Sequence, residues 1–363
     1  MNADLSIVDH IYEAAFLPDQ WSVVCERLCE EAGAYSAAVV AIDEWQTFRW
    51  IATPNIAAVM ERYALSPMRL QNSRPQRHVE RGLMSFSRDI DLMSPAELAA
   101  DPIYEAFLHP LGLGWTVGDL IQEPSGHAIM FDLTRKAAHG PFTEAGVARL
   151  NALRPDLARA ALMSSRLAFQ RARTVAETLD AIGLPAAVVG DSGAAVALNG
   201  RMEDLAPRIR TGARNRLTLD SADANGLLQM ALAQLRESVA PFVQSIPIAA
   251  AAEGPALILH LLPVRRQARD IFSRSAAILI VTPVGAVGPP DLRVISGLFD
   301  LTAAEARVAR EIAIGTSIDA AAQKLGIARE TVRTNLKRIF MKTGTGRQSE
   351  LVMLLSGLGR LRN

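Results

Sequence analysis

The sequence predicts an α+β multidomain chain: two mixed helix and sheet modules followed by an all-α unit of four short helices. Three observations predict it. The first third sets helices ahead of strand-length runs, residues from about 181 to 284 alternate apolar runs with turns, and the last sixty or so residues space their apolar side chains by three and four between glycine turns. Length agrees, since 363 residues exceed what one small core organises, and half of them are apolar.

Composition narrows the classes further. The 38 basic and 38 acidic residues cancel, so a local excess of either sign is informative. No run of about eighteen apolar residues exists; the richest, Ala256 to Val264 and Ala276 to Val281, are strand-length, so no membrane span is expected. Met-Asn-Ala-Asp at the start carries no basic leader ahead of an apolar stretch, which predicts a cytoplasmic chain. Cys25 and Cys29 lie one helical turn apart and read as a reduced structural pair. His109 and His127 have no ligand spacing, so neither a metal nor a cofactor is expected.

In the first module, helices are predicted at about Ser6 to Phe16 and Asp19 to Glu31, with strands at Ser36 to Ile42, Thr47 to Ile51, Gly118 to Gln122 and Ala128 to Leu133. This order of helix, sheet and helix is similar to that of a GAF domain. Tyr104, Phe107, His109, Trp115 and Trp50 either line a pocket beneath the segment from Ser66 to Gly114 or are plain core. A long helix is then predicted over about Thr143 to Thr178. Leu150, Leu153, Leu157, Ala160, Ser164 and Leu167 recur along it at heptad-like intervals, with Arg159, Arg166, Arg171 and Arg173 outside the seam. Such a seam suits a parallel dimer helix, and it suits equally well packing onto its own module. Pro155 is expected to kink or divide this helix.

In the second module, Pro185 to Val189 and Ala194 to Leu198 flank Gly190-Asp191-Ser192-Gly193 and predict a tight hairpin. Asn199 is placed to cap a short helix near Met202 to Leu205; a longer helix covers about Asn225 to Glu237, and strands follow at Phe242 to Ala249, Ala256 to Val264 and Ala276 to Pro283. The hairpin, the Asn, the helices and the three returning strands resemble a PAS domain, which implies a five-stranded antiparallel sheet cupping a ligand or a partner helix. Arg265 to Arg274, with Arg265, Arg266, Arg269 and Arg274, reads as an exposed loop between the last two strands, and Pro283 to Pro290 as a linker.

The final unit opens at Leu301-Thr302-Ala303-Ala304-Glu305, a capping box that starts a helix running to about Ile314, with Val308, Ala309, Ile312 and Ala313 on one face and Gly315 in the turn. Ser317 caps the second helix, roughly Ile318 to Lys324, whose Ala321, Ala322 and Leu325 let a neighbour cross closely before Gly326 turns the chain. The third helix, about Arg329 to Lys342, buries Val332, Leu336, Ile339 and Phe340 and leaves Arg333, Thr334, Lys337, Arg338 and Met341 pointing outward. A fourth, about Gln348 to Leu355, shows Leu351, Val352, Leu354 and Leu355. Between Lys324 and Arg347 stand Lys324, Arg329, Arg333, Lys337, Arg338, Lys342 and Arg347 against a single acid, Glu330, a local asymmetry that predicts a phosphate-bearing partner.

Leu301-Thr302-x-x-Glu305, Val308, Gly315, Ser317, Ala322, Leu325-Gly326-Ile327, Thr331-Val332-Arg333, Leu336, Ile339 and Lys342 together resemble the LuxR/NarL-type helix-turn-helix. The resemblance implies that the third helix enters the major groove, with Arg333, Thr334 and Lys337 toward base edges and Thr331, Arg338, Lys342 and Arg347 toward phosphates. It also implies pairing of two copies through the fourth helix on double-stranded DNA. Three positions depart from the family pattern: Ala328 where a cap serine is usual, Asp319-Ala320-Ala321-Ala322 in the second helix, and Asn335 in place of a His. The Ala328 departure should cost about 1 kcal/mol of local helix stability, and Asn335 remains able to bond a phosphate or an adenine edge.

The reading therefore divides the chain into residues 1–165, a GAF-like module; 166–180, a connecting helix; 181–285, a PAS-like module; 286–296, a linker; and 297–363, the LuxR-type helix-turn-helix. It predicts a homodimeric, DNA-binding transcription regulator whose sensor modules take a small-molecule ligand or a protein partner. A sigma-factor-like promoter-binding protein uses a similar four-helix arrangement, but the residues before Leu301 lack a dense aromatic and basic helix for melting DNA. No phosphate loop, nucleophile elbow or metal triad is present, so no enzyme is expected.

Overall fold

The computed structural model describes residues 5–42, 47–122, 127–237, 242–264, 271–273, 275–284 and 291–356. The chain divides into two compact units, residues 1–172 with 190–192 and 264–276, and residues 173–189 with 193–263 and 277–363. It has the mixed helix and sheet class expected, with two five-stranded antiparallel sheets and an all-helical C-terminal part.

In the first unit, α1 (Ile7–Phe16) starts at Ser6, whose hydroxyl accepts from the Asp9 amide while Asp9 returns the bond to the Ser6 amide. α2 (Trp21–Ala32) ends at Gly33, whose left-handed φ of 64° a side chain would strain. Then come β1 (Ser36–Ile42), β2 (Phe48–Ala52), α3 (Ala57–Leu65), α4 (Arg74–Glu80), β3 (Ser87–Arg88), α5 (Asp89–Leu92), α6 (Pro95–Ala99), β4 (Leu113–Gln122), β5 (Ala128–Lys136) and α7 (Glu144–Ala181). The sheet runs β2-β1-β5-β4-β3, so its first and last full strands pair at the centre. One face buries Trp21, Leu28, Phe131, Leu133, Leu150 and Leu157 together.

Two expectations change here, and one of two open alternatives is met. α7 is one helix across Pro155, so the proline does not divide it. The ring removes one backbone donor, and the burial of Leu150, Leu157, Ala160 and Ala161 on either side holds the remaining turns against the sheet. The heptad seam packs within the unit: Leu150, Leu157 and Ala160 are buried, and the Ser164 hydroxyl accepts from the Trp21 indole at 3.4 Å. In the loop expected to be exposed, Arg265, Arg266, Arg269 and Arg274 lie outside the described residues, but Ile271 and Phe272 are buried, the Phe272 ring 5.4 Å from that of Trp21. These are the two large apolar side chains of an otherwise Arg-rich run, and burying both is worth roughly 3–5 kcal/mol.

In the second unit, β6 (Ala186–Val189) and β7 (Ala195–Leu198) form the predicted hairpin, α8 (Gly200–Glu203) follows Asn199, and β8 (Ile209–Thr211) and β9 (Leu217–Leu219) make a short ribbon. α9 (Ala222–Glu237), β10 (Gln244–Ile248), β11 (Leu257–Pro263) and β12 (Ala277–Pro283) complete a sheet of order β10-β11-β12-β6-β7. Again the first strand lies beside the last, and Ala187, Val189, Leu228, Leu259, Leu261 and Leu279 fill the core beneath it. The buried Asn199 joins several elements. Its Oδ1 accepts from the amides of Met202 and Ala186, and its Nδ2 donates to the carbonyls of Ala176 and Leu184.

The helical part comprises α10 (Leu292–Phe299), α11 (Ala303–Ala313), α12 (Ile318–Leu325), α13 (Arg329–Thr343) and α14 (Gln348–Ser356). α10 falls largely where a linker was expected. Asp291 caps it, and Ile295 is fully buried with Val308, Ile312, Val332, Ile339 and Leu351. The stretch 285–290 of that linker lies outside the described residues. Among the described residues, no helix is long and apolar enough to cross a membrane.

Candidate functional site

The exposed side of α13 is held by the helices behind it. Thr302 and Glu305 exchange their two capping bonds, at 3.3 Å and 2.8 Å, which fixes the start of α11. The Ser317 hydroxyl accepts from the Ala320 amide and starts α12, and Gly326, at a φ of 69°, turns the chain into α13. Small Ala321 and Ala322 are buried against α13, whose Val332, Leu336 and Ile339 face inward. Ala328 occupies the cap of α13 and supplies no side-chain acceptor, as its methyl dictates.

Of the predicted residues, Thr331, Arg333, Thr334, Lys337, Arg338 and Arg347 are exposed. The side chains of Lys337, Arg338 and Arg347 make no hydrogen bond or ion pair among the described residues, and the Arg347 amide donates to Glu350 Oε2 at 3.2 Å. Arg333 Nη1 donates to Glu330 Oε1 at 2.8 Å, and the Thr334 hydroxyl to the Glu330 carbonyl at 2.9 Å. Two residues differ from the rest. Asn335 is only 9% exposed and sits on the packed side with Leu336, so its amide is not displayed beside Arg333 and Thr334. The reason is helical geometry: position 335 falls three residues after Val332 and four before Ile339, on the inward face. Lys342 turns its ammonium onto Glu305 Oε2 at 2.8 Å and the Asp300 carbonyl at 2.7 Å. That ammonium, with the Thr302 amide, holds the Glu305 carboxyl down at about 2.

The first unit contains a second place of chemical interest. Above the sheet, an open space of about 510 Å³ is lined by apolar Ile56, Val59, Met60, Ile103, Phe107 and Leu111, with Arg74 and Asp132 at one end. Arg74 bonds both Asp132 oxygens, at 3.1 and 3.4 Å. Beyond that pair, a space of about 330 Å³ is bordered by His78, Ser87, Thr116 and Asp119. Burial raises the Asp132 carboxyl, partly offset by Arg74; burial likewise raises Asp89, which accepts from the Tyr104 hydroxyl at 2.6 Å and the Thr116 amide at 2.7 Å. Of the aromatics singled out in the sequence, Phe107 lines this space. Tyr104 lies buried beside it with its ring 5.9 Å from His109, the Trp115 indole donates to the Ala137 carbonyl, and Trp50 packs with Ala38 and Val40. Sequence reasoning missed Arg74, His78, Asp119 and Asp132, which come from α4, β4 and β5 and share no local motif.

The family described as bacterial regulatory proteins, luxR family, matches residues 300–355. None of the curated proteins matches the chain. Among solved structures, the LBD domain of VqsR from Pseudomonas aeruginosa is 14% identical over 44% of this chain and 94% of its own, with a TM-score of 0.38. CepR2 from Burkholderia cenocepacia, an N-acylhomoserine-lactone-dependent LuxR family transcription factor, is 14% identical over 45% of this chain and 99% of its own, at 0.31. SdiA from Escherichia coli is 10% identical over 99% of this chain and 93% of its own, at 0.25. All three superpose too loosely for their functions to be carried across. The family match coincides with α11 to α14 and with the capping box, glycine turns and basic helix described above, and residues 300–355 are a LuxR-family helix-turn-helix domain.

Proposed function

We propose that the chain is a cytoplasmic, homodimeric transcription regulator that binds double-stranded DNA sequence-specifically through α13. The observation that carries the reading is the exposed face of Arg333, Thr334, Lys337 and Arg338 on a helix whose opposite face is packed into a luxR-family domain. In this reading Arg333 and Lys337 approach guanine edges, the Thr334 methyl meets a thymine methyl, and Thr331, Arg338 and Arg347 neutralise phosphates. Lys342 approaches the backbone while remaining tied to Glu305, and Asn335 supports the helix from within.

The front modules bias that binding. A small molecule in the space lined by Met60, Phe107 and Leu111 is the favoured input, because an apolar chamber ending in a half-buried Arg74 and Asp132 pair offers both burial and orientation. The chain acts by binding and not by catalysis.

The test is selection of genomic fragments by the full protein beside an Arg333→Ala, Lys337→Ala double variant, followed by a salt titration on the best fragment. A repeated sequence found by the wild type and lost by the variant supports the reading, with affinity falling steeply as salt rises. Equal selection by both proteins, or none by either, refutes it.

A further inference from the structure

Asp119 is fully buried, and no hydrogen bond saturates either of its carboxylate oxygens among the described residues. Two side chains reach it, one at each carboxylate oxygen. Arg154 Nε of α7 lies 2.9 Å from Oδ2, and His78 Nε2 of α4 lies 3.5 Å from Oδ1. Neither contact has hydrogen-bond direction, since His78 Nε2 and Arg154 Nε are also without hydrogen-bond partners among the described residues. The three groups are therefore held by packing and by the Arg154 charge facing the carboxylate, and a shift of any one alters the balance on the other two.

The sheet is built to allow this meeting. β3 pairs with β4 only through Ser87 with Gly118 and Arg88 with Val117, so the ladder stops one residue short of Asp119. The next residue of the β3 side, Phe86, gives its amide to Asn151 Oδ1 at 2.8 Å, and its carbonyl accepts from Asn151 Nδ2 at 3.4 Å. A side chain of α7 thus takes the backbone groups with which β3 would otherwise continue the strand. Through this gap His78, which borders the 330 Å³ space on one side of the sheet, reaches a carboxylate whose other oxygen faces α7.

We infer that Asp119 is a positioning residue that links α4 to α7: through it, a displacement of the cavity wall at His78 changes the grip on Arg154. This inference rests on the proposed ligand chamber only for its input; the linkage itself belongs to the unliganded protein. α4 also carries Arg74, whose bidentate pair with Asp132 separates the two spaces, so a molecule entering either one meets the same helix. At the far end of the linkage, Asn151 and Arg154 are one turn apart on α7, and both of its attachments to the sheet edge respond together.

The test is amide hydrogen exchange on the full-length protein without ligand or DNA. His78→Gln should speed exchange in α7 around residues 151–158 at least tenfold, and Arg154→Gln should do the same in α4, each acting through the carboxylate between them. In an Asp119→Asn background, which keeps the shape and removes the charge, both remote effects should disappear while each local effect persists. Effects confined to the helix that carries each substitution would overturn the linkage, as would remote effects that survive Asp119→Asn. Failure of the ligand chamber is read separately, by the absence of a small molecule that shifts melting of the wild type, and leaves this measurement unaffected.

Discussion

Lys342, near the end of α13, donates to the Glu305 carboxylate that closes the capping box of α11, so one ammonium ties the exposed helix to the start of the first helix of its domain. The bond is at 2.8 Å, and Glu305 is almost wholly buried while Lys342 is one-third exposed. Lys342→Met is expected to cost about 1–2 kcal/mol, less than a fully buried pair because solvent screens the lysine. Faster exchange of α11 and α13 amides measures it. The same substitution should flatten the salt dependence of DNA binding less than Arg338→Ala, whose side chain has no internal partner among the described residues and should remove about one unit of slope.

Acid should act on the same pair. The Glu305 carboxyl sits at about 2 in the folded chain against an ordinary 4.5, so the unfolded state takes up its proton first as pH falls. The stabilisation is complete above pH 4.5 and is lost progressively down to about 2. Glu305→Gln should be less stable than the wild type at pH 6, and the difference should shrink toward pH 2, followed by α11 exchange across that range.

Ala328 offers the simplest gain. Its backbone is extended, with a φ of −66° and a ψ of 147°, the conformation of a cap residue, but it has no oxygen to offer the free amides of the first turn. Ala328→Ser is expected to stabilise α13 by about 1 kcal/mol, seen as roughly fivefold slower exchange of the Glu330 and Thr331 amides. An unchanged rate would mean that those amides already have another acceptor.

The buried Asn335 separates packing from readout. Asn335→Ala should destabilise the C-terminal helices while leaving the selected DNA sequence the same. A changed sequence preference would return the amide to the DNA-facing side.

In the second module, Asn199→Ala removes four bonds to backbone groups of Ala176, Leu184, Ala186 and Met202. The backbone groups left behind are hard to rehydrate at a site only 5% exposed, and about 2–4 kcal/mol should be lost. Calorimetry of the full chain should show the corresponding transition shift while α13 exchange is preserved.

What the sequence disclosed follows from where the signals lie. Capping boxes, glycine turns and alternating strands are local, so Ser6, Thr302, Ser317 and Asn199 announce their helices, and β1, from Ser36 to Ile42, has the bounds expected. α10 was hidden because Gly and Pro just before it read as linker, and β8 and β9 because three-residue strands carry no periodicity. Continuity of α7 across Pro155 depends on tertiary packing that outweighs a local helix breaker. The outward set on α13 was legible from helical spacing, and the same spacing places Asn335 inward with Val332 and Ile339, but the capture of Lys342 by Glu305 is decided by a side chain 37 positions away. The same is true of Asp119, whose partners stand 41 and 35 positions along the chain, at His78 and Arg154.

An unbroken α7 has a mechanical consequence. With a rise of 1.5 Å per residue, the 18 steps from Arg154 to Ala172, within the first unit, make a rod of about 27 Å, so a tilt of 5° at its root sweeps its far end through roughly 2.4 Å. A proline that had split the helix would have let a hinge absorb that motion. The rod instead magnifies small rearrangements near Arg154 into displacements longer than a covalent bond within the first unit.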